Sequence, residues 1–80
     1  MARRRVRFTF EGDSVTEPVI YLVGHEFDVV TNIRMADVEH DFGWVVLEVD
    51  GDHDEIDRAL AWVASKGVRV DPVAGDVVES

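Results

Sequence analysis

An 80-residue chain without cysteine makes one domain, and it can hold no disulfide, iron–sulfur cluster or thiolate metal site. Arg3, Arg4, Arg5 and Arg7 supply four of its eight basic groups, so the remainder of this −9 chain sets four cations against 17 acidic groups, a balance of −13. A body that acidic repels phosphate backbones and argues against nucleic acid as a partner. No apolar stretch approaches the ~20 residues of a membrane span, and no apolar h-region follows the basic N-terminus, so a cytoplasmic chain without membrane insertion is expected. A core this small gains from oligomerisation.

Residues 1–4 read as a flexible, solvated tail. From Arg5 to Phe10 the chain alternates strictly, with Val6, Phe8 and Phe10 on one side and Arg5, Arg7 and Thr9 on the other, which predicts a half-buried strand. Glu11-Gly12-Asp13 is a turn. A helix follows, capped by Ser14 or Thr16; Pro18 favours Thr16, which would place the proline in the first turn. Val19, Leu22, Val23 and Phe27 form its buried face, with Ile20 at the flank. Gly24 either lets this helix approach the sheet closely or is simply tolerated.

Two β-rich runs, Val29 to Glu39 and Trp44 to Gly51, flank the polar connection His40-Asp41-Phe42-Gly43 and predict a hairpin. Alternation puts Val29, Thr31, Ile33 and Met35 on one face of the first strand, against Val30, Asn32, Arg34, Ala36 and Val38. In the second, Val45, Leu47 and Val49 oppose Trp44, Val46 and Glu48. The second helix has Asp52 as its cap and Glu55 at the third position, with Ile56, Ala59, Leu60 and Val63 on its apolar face and Gly67 as a left-handed stop. Val68 to Val73 is a last short strand that ends at Pro72 or lies at an edge, and 74–80 reads as a tail. The order β-α-β-β-α-β predicts an α+β fold, a ferredoxin-like sandwich with a four-stranded antiparallel sheet and two helices on one face. One domain spans 1–80, with its core at about 5–73.

The residues for enzymatic chemistry are sparse. His25, His40 and His53 are scattered without metal-ligand spacing, and Asp50, Asp52, Asp54 and Glu55 read as capping groups rather than a calcium loop. No phosphate loop or nucleophile elbow is present. Neither an enzyme nor a cofactor or metal is therefore expected. The open sheet face is more informative. Trp44 and Val46 lie there among polar residues and form an apolar patch suited to a protein contact. Asn32, a poor strand former, is either a tolerated exposed edge residue or a ligand or bulge position.

Several stretches in order carry a family resemblance: Phe8-Thr9-Phe10-Glu11-Gly12, Pro18, the Asn32-Ile33 pair, Phe42-Gly43, Val46 to Gly51, Ala59-Leu60 and Gly67-Val68-Arg69-Val70. From about Val6 to Val73 the chain resembles the NIL domain, an ACT-like module of ferredoxin fold. Arg34 stands where that family's triplet has Leu, and the connection from Asn32 to Gly43 is short. The resemblance implies a regulatory domain of the kind found at the C-terminus of methionine-importer ATPases, here free-standing. It implies a small amino-acid ligand, methionine or a related sulfur amino acid, held by Asn32, Ile33 and Arg34. It implies a homodimer through the Val29–Glu39 edge, with Thr31, Met35, Trp44 and Val46 at the interface, and a partner enzyme or transporter as the target. The alternative is an accessory or scaffold subunit of a sulfur amino-acid enzyme that binds no small molecule.

Overall fold

Alternating apolar side chains on two long strands and one apolar stripe on each of two helices give a single arrangement that buries them together. In the computed structural model, which describes residues 1–12, 18–39 and 41–78 and side chains as far as 73, the elements run β1 (Ala2–Glu11), α1 (Val19–Glu26), β2 (Val30–Val38), β3 (Phe42–Gly51), α2 (His53–Ser65) and β4 (Arg69–Val78). The sheet has the order β2-β3-β1-β4 with every pair antiparallel, as the ferredoxin-like plan requires. Register pairs Val6 with Leu47 and Phe8 with Val45, so the inward residues of the two central strands meet. Helices cover that face: Val19 and Val23 from α1, and Ile56, Ala59 and Val63 from α2, join the same core. Phe27 and Trp62 close its flank with ring centroids 5.8 Å apart, and the Lys66 ammonium lies 5.3 Å from the Trp62 ring.

Four details differ from the expectation, each through a partner distant in sequence. First, β1 begins at Ala2, not Arg5, and Ala2 is buried. The basic run is held by carboxylates from elsewhere: Arg3 Nε lies 2.8 Å from Asp50, Arg4 Nη1 2.7 Å from Asp57 and Arg5 Nη2 2.9 Å from Glu48. Second, β4 passes through Pro72 and continues to Val78, including most of the segment expected as a tail. It does so as an edge strand, where a missing N–H donor is tolerated. The ladder shifts between Val6, which faces Pro72, and Arg4, which faces Val77.

Third, β2 contains a bulge at Arg34, between the pairs Ile33–Leu47 and Met35–Val46. One inserted residue reverses the facing of everything after it. Met35 therefore lies on the open face with Asn32, while Ala36 and Val38 join Thr31 and Ile33 on the helix side, which is the reverse of simple alternation. Fourth, Asp52 sits at the α2 N-cap, where its carbonyl accepts from Ile56 N–H at 2.9 Å, but its side chain makes no cap bond. The Glu55 carboxylate turns away and accepts Asp28 N–H at 2.9 Å, tying the α1–β2 loop to α2. Gly67 ends α2 at φ +88°, the left-handed stop the sequence predicts. Helix α1 starts at Val19 with Pro18 at its N-cap; the expected caps Ser14 and Thr16 lie outside the described residues.

Candidate functional site

The strand order leaves β2 on the rim of the sheet, where the helix layer covers Thr31 in part and leaves most of the strand exposed. Val30, Ile33, Met35 and Val38 are 66%, 53%, 60% and 74% exposed. They are split between the two faces, with Val30 and Met35 on the open side and Ile33 and Val38 on the helix side. An edge this long and apolar, without proline or lysine, is a template for another strand.

The sequence candidates fall around this edge. Asn32 lies on the open face, opposite Glu48, and Ile33 on the helix side, opposite Leu47. Arg34 occupies the bulge that follows, between Ile33 and Met35. Thr31 is half-buried beneath α1, where a Cβ on Gly24 would meet its Oγ1 at 3.8 Å, an ordinary contact. The bulge brings Met35 into register with Val46, and Asp37 with Trp44, so Met35, Val46 and Trp44 share the open face while Thr31 lies on the other.

Glu48 is the electrostatic centre beside Asn32. It is only 9% exposed. The hydrogen bond from Arg5 holds its carboxyl below the usual carboxylate range, with further lowering from the charges of Arg3 and Arg34, while burial opposes the shift. The carboxylate is therefore ionised and engaged, and serves to fix the arginines rather than to move protons.

Two hollows complete the site. One, of about 340 Å3, opens where β2 ends, walled by Phe10, Gly12, Ile20, Val38 and Phe42, with the acidic Glu39 and Asp41 also lining it. The other, of about 330 Å3, lies on the open face between β3, β1 and β4, around Trp44, Thr9 and Arg7. Neither is walled by Asn32, Ile33 or Arg34. Sequence reasoning missed the first hollow because it is assembled from four separate segments, and no local motif marks it. For the second, alternation already placed Arg7, Thr9 and Trp44 on the open face, but nothing in the sequence marked the hollow between them.

Among the described residues, no helix is long and apolar enough to cross a membrane, and no group of three or more His, Cys, Asp or Glu side chains is placed to hold a metal.

Among known proteins, the chain is 33% identical over 70 residues to the methionine import ATP-binding protein MetN of Mannheimia succiniciproducens, a match covering 82% of this chain and 20% of that protein. It is 27% identical over 74 residues to the MetN of Lacticaseibacillus paracasei, covering 88% of this chain and 21% of the relative. The chain thus spans about a fifth of the length of the curated relatives it matches. The C-terminal domain of an ABC transporter/ATP-binding protein from Enterococcus faecalis has the same fold, with a TM-score of 0.81 at 18% identity over 90% of this chain and 84% of that one. The NIL domain profile matches residues 4–72, and the chain belongs to the NIL domain family.

Proposed function

We propose that this chain is a regulatory domain that binds a small amino acid, methionine or a related sulfur amino acid, and acts on a partner protein rather than catalysing a reaction. Two copies pair through β2 to form a two-fold dimer, and the ligand lies at the seam. The observation that carries this is the open β2 edge, with four large apolar side chains more than half exposed and the candidate residues Asn32, Ile33 and Arg34 at its middle. Pairing satisfies the free backbone groups of the strand and covers those side chains. It also brings a second copy beside the hollow of about 340 Å3 that Val38 helps to wall. That hollow offers an apolar chamber for a side chain and acidic groups, Glu39 and Asp41, for an ammonium. Asn32 supplies a donor and an acceptor at the seam. The methionine-import relatives point to the ligand class, and a transporter or a sulfur amino-acid enzyme is the target that fits them.

Thermal unfolding and sedimentation with and without methionine test the proposal. A ligand at 100 times its Kd adds roughly 2.7 kcal/mol, and a ligand at the seam tightens the dimer by linkage. Asn32→Ala should remove both effects. A chain that dimerises but responds to no amino acid would instead be a scaffold subunit. A chain that remains monomeric at high concentration and is unmoved by methionine would leave Asn32 an ordinary edge residue.

A further inference from the structure

The open face of the sheet holds a second, independent feature. Four arginines lie on β1. Three of them, Arg3, Arg4 and Arg5, are each bonded to a carboxylate within 2.9 Å. Arg7 is not. Its register partner on β4 is Asp71, yet the Asp71 carboxylate turns to Arg69, whose Nε donates to Oδ2 at 2.9 Å. In a chain with 17 acidic residues, the exposed Arg7 guanidinium has no acceptor among the described residues.

Register also explains why the surface is hollow beside it. Thr9, a short side chain on a central strand, lies between two long ones, Trp44 on β3 and Arg69 on β4. The next row pairs Glu11 with Phe42. Strands about 4.8 Å apart with a short residue between long ones make a trough floored by Thr9 and walled on one side by the half-buried indole of Trp44. Its volume of about 330 Å3 falls at the small end of the roughly 300–1,000 Å3 typical of ligand pockets. One end presents an unengaged cation beside a carboxylate that keeps a second oxygen. The middle presents a flat aromatic wall.

We propose that this trough binds a free α-amino acid with a flat aromatic side chain. The α-carboxylate takes the Arg7 guanidinium in a paired, charge-assisted contact. The α-ammonium takes the remaining oxygen of Asp71, directly across the strands from Arg7. The side chain runs along the trough over Thr9 and lies against Trp44, with Phe42 at the far end, in the offset or edge-on geometry that aromatic pairs prefer. An anion alone is disfavoured by the acidic chain, and a cation alone leaves Arg7 unmatched, so both charges of the head group are read. This site is separate from the β2 seam and does not depend on it.

The test uses L-phenylalanine, 3-phenylpropionate, which lacks the ammonium, and phenethylamine, which lacks the carboxylate. Binding is read by calorimetry and by the indole N–H signal of Trp44 in 1H–15N spectra, with Trp62 as the internal reference. L-phenylalanine should shift the Trp44 signal saturably, and each analogue should bind at least about tenfold more weakly, the loss of one charge-assisted contact. Arg7→Gln should weaken L-phenylalanine by a similar factor with an unchanged circular dichroism spectrum, whereas Arg58→Gln, on α2, should not. Thr9→Leu, which fills the trough, should abolish binding. A Trp44 signal that does not saturate up to about 10 mM ligand, binding that survives Arg7→Gln, or phenethylamine binding as tightly as phenylalanine overturns the proposal. Asn32→Ala should leave this site intact, so failure at the seam and failure here are read separately.

Discussion

Leu47 sits at the point where the two central strands and the helix layer meet, and its truncation measures how well that core is closed. It has no exposed surface, pairs with Val6 on one side and with Ile33 on the other, and shares the core with Ile56 and Val63. Leu→Ala substitutions at buried sites cost about 2.7–5.0 kcal/mol, rising with the volume of the cavity that remains. The Val6 side is sealed, since Val6 is 2% exposed, but the Ile33 side is open at 53%. Ile33 can move inward and shrink the cavity, which places the cost near the lower end, at about 3 kcal/mol. An 80-residue domain has roughly 4–12 kcal/mol in total, so Leu47→Ala should lower Tm by about 12–24 °C. Urea denaturation should show a lower midpoint at unchanged slope, the sign of lost stability without a change in the surface exposed. A loss below about 1 kcal/mol would mean that Leu47 does not close the core, and the pairing of β1 with β3 would have to be redrawn.

Glycines give opposite expectations at two positions. Gly24→Ala should stabilise α1 by about 0.5–1 kcal/mol, because the added Cβ meets only Thr31 Oγ1 at 3.8 Å. Gly51→Ala should destabilise by about 1–3 kcal/mol, because its Cβ would lie 3.1 Å from both the Asp28 carbonyl oxygen and Val29 Cγ1; thermal melts of the two variants should move in opposite directions. Glu48 has a folded-state pKa below its unfolded value, chiefly through the Arg5 hydrogen bond. Its contribution is therefore fully present above the unfolded carboxyl pKa of about 4.3 and is lost as the pH falls through the depressed folded value. The stability gap between the wild-type chain and Glu48→Gln should be constant near neutrality and narrow in acid; a gap independent of pH would remove the Arg5–Glu48 pair as its cause.

Patterns local in sequence were legible, and contacts between distant segments were not. The alternation of β1 and β3, the stripe of α2 and the Gly67 stop each depend on neighbours a few residues away, and all appear as expected. The bulge at Arg34 carries no glycine or proline to announce it, and the apolar Ile33 and Met35 two residues apart imitate unbroken alternation. The arginines at 3 and 4 look like a solvated tail because their acceptors Asp50 and Asp57 lie 47 and 53 residues away. Glu55 looks like half of a capping box because nothing local reveals that Asp28 N–H, 27 residues upstream, arrives at its carboxylate. At the candidate site, Asn32 was singled out for its poor fit to a strand. The trough around Thr9 needs three strands in register before it exists at all.

The antiparallel pairing of β1 with β4 has a mechanical consequence. Arg3 and Val78 are opposite one another at one end of this ladder, so tension applied between those two positions pulls the two strands apart sideways. Bonds then open one pair at a time from the Arg3–Val78 end instead of sharing the load as they would in shear. The peel soon reaches the shifted register and then Pro72, which has no N–H to donate. Under stretch, β4 should come away first, at low force, leaving β2, β3 and β1 paired beneath the helices.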